Sequence, residues 1–432
     1  MPQTHPQRTA LHNELHARPP EPVAPPLAVT HIVMAAQPQE RAASREHLGR
    51  LLHDHHLPAP DEGITHLRTA LGVTRLRWEL HTEFVSWTFS QPFDLAGFNA
   101  NAPPTGLRAV PEDWLATLPG QQLVAIHLWV LPPQLREDLL ARELLHEDTV
   151  VGSSLLHGQL EAYTDFAIHA DGFSRMAVYA GSQSSSPRVL GRLVQHLLEI
   201  DTYRMAALLG LPMARESAAS LGEAERELAE LAGAIREAAR EEEPQLLDRL
   251  TRLAGEVESR YAATHSRFSA SAAYFELVDQ RVREIDESPI PGLQTIGEFI
   301  ERRMSPARAT CAWVARRENA LSERVSRISN LLRTRVEIEQ QEGTQALLSA
   351  MNKRMSLQLK LQATVEGLSV AAITYYAAGL VSYLARGAVA LGWPLKPDMT
   401  AAVAVPLIAL GVWASMRRMH HKLFQMEDRT PD

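Results

Sequence analysis

Apolar residues fall into three regimes along the chain. As far as about Leu211 they alternate or cluster in short runs, from Glu216 to Met355 they recur every three or four positions, and from Gly367 they become continuous. In the first regime LAVTHIVMA, Leu27 to Ala35, reads as a buried strand, and Gln39 to His56 as an amphipathic helix with Leu48, Leu51 and Leu52 on one side. VTRLRWELH and EFVSWTFSQ alternate and are rich in β-branched and aromatic residues, which predicts two strands joined by a turn at His81 to Glu83. A short helix at Glu112 to Leu118, a strand LVAIHLWVL and a helix QLREDLLARELL follow. VVGSSLLHG, DFAIHA and FSRMAVYA read as three further strands, the last two joined at Asp171-Gly172. A long helix starting near Pro187 and ending near Gly210 closes the region. The pattern predicts an α+β domain over residues 27–211, preceded by an extended arm, residues 1–26, with seven prolines.

The second regime predicts helices with coiled-coil-like seams. Leu221, Ala224, Leu228, Leu231, Ile235 and Ala238 form one; Leu250, Leu253, Val257, Tyr261, Thr264, Phe268, Ser271, Phe275, Val278, Val282 and Ile285 form another. SPIPG, residues 288–292, breaks the second seam, and a short helix near Gln294 to Arg303 completes an antiparallel helical layer over 216–306. The period resumes with Leu321, Val325, Ile328 and Leu332 and continues with Leu348, Met351 and Met355, which predicts a stalk helix over 307–366. The 59 residues from Ala307 to Val365 would reach about 88 Å.

The third regime predicts a transmembrane hairpin over 367–416. GLSVAAITYYAAGLVSYLA, residues 367–385, and MTAAVAVPLIALGVWASM, residues 399–416, carry no charge and match the roughly 20 apolar residues a bilayer crossing needs. Tyr383, Trp393 and Trp413 lie near the span ends, where amphipathic rings favour the interface. Lys353, Arg354 and Lys360 precede the first span, Arg417, Arg418 and Lys422 begin a basic tail over 417–432, and Arg386 and Lys396 lie in the connection. The weight of positive charge puts both termini in the cytoplasm.

Composition agrees with a large water-soluble body on one hairpin. The chain has 432 residues and a mean hydropathy of −0.17, unlike a many-span transporter. Its single cysteine, Cys311, excludes an intrachain disulfide framework, and a net charge of −8 gives no electrostatic case for nucleic acid. The first residues show no signal-peptide apolar core.

The opening His12-Asn13-Glu14-Leu15-His16-Ala17-Arg18-Pro19, the RLVQHLLEIDTYRMAALLG helix and the TVEGLSVAAITYY approach to the first span resemble a family of membrane-anchored bacterial proteins of unknown function. The resemblance covers nearly the whole chain and implies an inner-membrane protein with a cytoplasmic body; it brings no activity. The order of elements is also similar to the CorA-type magnesium channel family, in which a Gly-Met-Asn motif follows the first span. Here Tyr383-Leu384-Ala385-Arg386-Gly387-Ala388-Val389 stands in that place, and an arginine at the mouth repels cations.

Candidate chemistry is sparse. His53 and His56 are three apart, a usable metal spacing on a helix, against the duller reading of a solvated helix end. In the arm, His12, Asn13, Glu14, His16 and Arg18 offer acid, base and cation, but read more simply as a docking motif. His169 to Gly172 reads as a turn, and Cys311 as a buried small hydrophobe. Glu366, Ser369, Tyr375 and Tyr376 are the polar groups at and within the first span. No Walker loop, dinucleotide fingerprint or Gly-x-Ser-x-Gly elbow occurs. The sequence therefore predicts a membrane-anchored homo-oligomer without a cofactor, a scaffold for itself or for a cytoplasmic protein partner, with a CorA-like channel as the alternative.

Overall fold

The computed structural model describes residues 4–9, 11–12, 19–100, 102–133, 144–181, 186–392, 394 and 397–427. Its contacts divide the chain into two units, Met1–Asn330 and Leu331–Asp432. The first unit is an α/β domain built on one nine-stranded sheet. The strands are β1 Leu27–Ala35, β2 His66–Leu71, β3 Thr74–Leu80, β4 Phe84–Pro92, β5 Gln121–Leu131, β6 Val151–Leu155, β7 Leu160–Thr164, β8 Ser174–Ala180 and β9 Glu287–Pro289. Their order across the sheet is β2-β3-β4-β1-β5-β8-β7-β6-β9, and only β5 and β8 pair in parallel among the described strands.

Helices cover both faces. On one lie α1 Pro38–Asp54 and the short α2 Glu112–Ala116, packed through Leu48, Leu51, Leu52 and Trp114 on Leu76, Trp78, Trp87 and Phe89. On the other lies α3 Pro187–Leu208, whose Leu190, Leu193, Val194 and Leu197 pack on Val29, Val33, Ile126 and Val178. Ser186 caps α3 by accepting from the Val189 N–H at 3.4 Å, with Pro187 in the first turn. Next come α4 Gly210–Glu237 and α5 Glu243–Glu284. The seams predicted for them are buried at Leu221, Ala224, Leu228 and Leu231 in α4, and at Leu250, Leu253, Val257, Phe268 and Phe275 in α5. The first turns of α6, Ile296–Ala390, join this layer through Ile300, Met304 and Ala307.

Several expectations require correction. DFAIHA is a loop rather than a strand: pairing with β8 passes instead to Leu160–Thr164, and Phe166 takes φ +51. A strand at His66–Leu71, with only Leu71 fully buried, escaped the hydrophobic pattern. The break at residues 288–292 contains β9, a three-residue edge strand on β6. The short helix at 294–303 and the stalk are one continuous helix, with Pro306 inside it. Burial of the neighbouring Met304 and Ala307 offsets an interior proline cost of about 3 kcal/mol. The helix QLREDLLARELL lies mostly outside the described residues.

The second unit contains the rest of α6 and α7, Pro397–Glu427. Both are long and apolar enough to cross a membrane, α7 over Asp398–Arg418. Helix extends past the predicted span ends, shortening the connection to residues 391–396.

Candidate functional site

Alternation along the first strands sorts their side chains by face. Leu76 and Trp78 of β3 and Val85, Trp87 and Phe89 of β4 point into the core beneath α1. The intervening Arg77, Glu79, Ser86, Thr88 and Ser90 point the other way. A one-sided sheet would leave this second set in water. Here α3 and the arm residues Glu21 and Val23 come over it and leave a half-open cleft of about 80 Å3. That volume is below the roughly 300–1,000 Å3 of drug-sized ligand sites and leaves room only for a small group or a single side chain.

The floor and wall of the cleft are joined by polar contacts. Arg77 donates to Gln195 Oε1 at 3.2 Å and to Glu79 Oε1 at 2.7 Å. Gln195 donates to Glu199 at 2.7 Å, and Glu199 pairs with Arg281 of α5. At the arm, Glu21 stands 3.5 Å from Arg68 of β2, and Arg68 also donates to the Pro19 carbonyl. Thus the chain immediately after the His12-to-Arg18 motif lies along the cleft rim. The walls are apolar, from Val23, Leu27, Phe84, Val194 and Leu198.

His31 sits at the bottom. The Thr202 hydroxyl donates to Leu198 O at 2.9 Å, so it accepts from His31 Nε2 at 3.1 Å, leaving His31 Nδ1 to accept from Thr88 at 2.8 Å. Burial pushes the His31 imidazole down to about 3. A histidine that weakly basic, oriented by a threonine and not by a carboxylate, does not suit general-base work at neutral pH. The cleft has the chemistry of a binding pocket with a hydrogen-bonding floor.

A second constellation lies in the loop after β7. Asp165 directly follows the last strand residue, and its side chain is fully buried. His146 Nδ1 lies 3.0 Å and His169 Nε2 2.8 Å from the same Asp165 oxygen, Oδ2. The two imidazoles stack, with centroids 4.2 Å apart and planes 15° from parallel. Burial lowers the His169 pKa, partly countered by the Asp165 carboxylate. His127, stacked on Phe173 at 4.0 Å and bonded to Thr30 at 2.8 Å, is likewise pushed down by burial, to about 4.

Residues singled out in the sequence do not converge on either place. Helix α1 ends at Asp54, and His56 takes φ +55, so His53 and His56 do not share a helix face. His55 bonds Ala109 O at 3.0 Å. His12 is exposed, whereas Asn13, Glu14, His16 and Arg18 lie outside the described residues. Ser369 donates to its own helix at Val365 O, 2.8 Å away; Glu366 lies 3.4 Å from Gln362; Tyr375 and Tyr376 are exposed. Cys311 is buried and its thiol pKa raised by that burial, as a small core residue requires. Sequence reasoning passed over His31, Arg77, Glu79 and Asp165. The prior signal for Arg77 and Glu79 was their alternation on the polar side of a strong strand, and His31 stood as a polar residue inside a run read as a buried strand.

Residues 3–423 match the family described as Protein of unknown function (DUF3422). No match to the CorA-type family is found. No curated protein matches the chain.

Proposed function

The chain belongs to this family of unknown function, and on that premise we propose a membrane-anchored, self-associating protein that presents its α/β body on the cytoplasmic side of the inner membrane. The observation that carries the reading is apolar exposure. Leu368, Tyr376, Leu380 and Leu384 of α6, and Val403, Leu407 and Leu410 of α7, each show more than half of their surface. Only 11% of the apolar window in α6 and none of that in α7 is buried. A buried core helix has the opposite profile, and lipid is the solvent that such a surface suits.

Self-association is supported by the stretch of α6 before the apolar run. The seam that is buried at Leu321, Val325 and Leu332 continues into Leu348, Met351 and Met355, which are exposed. Helices from other copies would cover them by the same knobs-into-holes packing. The cleft beside α3 gives the body a small polar-floored recess that one side chain of a partner could enter.

Two measurements test this. The chain should stay with membranes after an alkaline carbonate wash, and a reporter fused after Asp432 should be active on the cytoplasmic side; recovery of the chain in the soluble fraction would sink the anchor. The detergent-corrected mass of the full chain should exceed one copy. The continuity of α6 from the sheet domain into the apolar run favours a second reading, an oligomeric channel. Ion flux into proteoliposomes would support it, and tight vesicles holding folded protein without flux would remove it.

A further inference from the structure

We propose that His146, Asp165 and His169 form a binding site for a first-row divalent cation, zinc foremost, with at least one coordination position left open. The ligand set is one carboxylate and two imidazoles, the nitrogen and oxygen donors that zinc and its neighbours take. Ligand atoms at about 2.0–2.2 Å from such an ion stand roughly 3.0–3.5 Å from one another in octahedral or tetrahedral arrangement. The two observed nitrogen-to-oxygen distances, 3.0 and 2.8 Å, lie near that edge length. All three donor atoms fall within 4.8 Å of one another.

The hydrogen bonding around Asp165 supports an ion in two ways. Its Oδ2 has three nitrogens in reach: His146 Nδ1, His169 Nε2 and the His146 backbone N–H at 2.9 Å. A carboxylate oxygen offers about two lone-pair sites, so one oxygen is crowded. A cation at the ring edges beside Oδ2 relieves this, because each imidazole then turns an in-plane lone pair, not an N–H, toward the ion. Meanwhile Asp165 Oδ1 is held by the Ala167 N–H at 3.0 Å, which fixes the carboxylate as the partners outside a metal site do.

The backbone supports it as well. Phe166, next to Asp165, adopts φ +51, a region costly for a bulky residue. It is kept there by stacking on Phe299 at 4.8 Å and by Arg204 at 4.9 Å. The turn beyond it is closed by Gly172 N–H to His169 O and by His169 N–H to Phe173 O, each at 2.9 Å, which fixes the His169 backbone against the residue before β8. The neighbouring cation, Arg175, is paired with Asp171 at 3.0 Å and donates to Leu144 O at 3.2 Å, so its charge is partly neutralised by a carboxylate outside the triad. His146 is more than half exposed, which leaves a path for the ion and for water in the open position. Three protein ligands plus water is the arrangement of metal centres that act on a bound molecule, whereas purely structural zinc sites are closed by four.

The test uses the full chain in mild detergent, purified without a polyhistidine tag and stripped by chelator. Cobalt(II) titration should give visible ligand-field absorption saturating at one equivalent, bleached by zinc, and elemental analysis after dialysis should return about one zinc per chain. His146→Ala, which removes an exposed ring with little packing, should weaken binding at least tenfold; His169→Gln should do the same, and His53→Ala should leave it unchanged. Should His169→Gln fail to fold, the wild-type spectrum and His146→Ala still decide. Absence of the cobalt band with wild-type protein, or equal affinity in the His146 variant, would overturn the site.

Discussion

Gly191 offers a sharp test of how the arm is held over the cleft. It lies inside α3, where alanine is preferred to glycine by about 1 kcal/mol. Yet a Cβ at Gly191 would stand 1.7 Å from the Glu21 carbonyl oxygen and 2.8 Å from its carbon. To reach ordinary contact at about 3.3 Å, the arm has to retreat by roughly 1.6 Å. That breaks the bond from Val23 N–H to Pro187 O, 2.8 Å long, and draws the buried Val23 side chain toward water. The bond is worth about 1 kcal/mol and the valine about 1.5–2 kcal/mol. The helix gain of about 1 kcal/mol is present with the arm docked or released, so it adds to global stability and leaves arm docking weaker by about 2.5–3 kcal/mol in Gly191→Ala. Gly222 of α4, with nothing within 4 Å of its Cβ position, is the matched control and should gain the helix propensity alone. Hydrogen exchange at Val23 reads the difference: protection should drop roughly a hundredfold in Gly191→Ala and stay unchanged in Gly222→Ala. If Gly191→Ala keeps Val23 protected and is stabilised like Gly222→Ala, the arm is not seated against α3 as described.

Three further outcomes follow from buried or exposed groups. His31 and His127, held down at about 3 and about 4, bind fewer protons folded than unfolded, where the ordinary value is about 6.5. Stability should therefore rise with pH from about 3 to 6.5 and level off above it, a loss of a few kcal/mol between pH 7 and pH 4; urea midpoints measured across that range should flatten in His31→Gln/His127→Gln, and an unchanged slope would refute the assignment. Thr202→Val leaves His31 Nε2 without its acceptor and should cost about 1–3 kcal/mol, read as a fall in thermal midpoint, whereas Thr202→Ser should be nearly neutral. Leu380→Arg, mid-way along the exposed apolar run, should reduce membrane integration by the roughly 2.5–3.5 kcal/mol charged-residue penalty, while Leu347→Arg should not; equal integration of both in a glycosylation-mapping assay would count against a bilayer crossing.

Local pattern was enough for much of the scaffold. Strands β1, β3, β4, β5 and β8, helix α1 and the α4 and α5 seams were all legible, because each buries one periodic set of side chains. Strand β2 was not, since five of its six residues are only partly buried or exposed. DFAIHA was misread because its apolar alternation resembles a strand, while Thr164 bonding back to Phe166 N–H at 3.2 Å turns the chain out of the sheet.

The sequence by itself determined where the apolar faces lie, where helix replaces strand, and that two runs are apolar enough for a bilayer, since these depend on spacing along one segment. Only the tertiary structure decided which polar residues are covered and which donors meet. Arg77, Glu79 and Thr88 read as a wet strand face until α3 and the arm close over them. His31 finds Thr202 across 171 positions, and Asp165 joins His146 across 19. Such pairs are fixed by the path of the chain between them, because a buried polar group must find a partner wherever packing brings one, and no local period records that path.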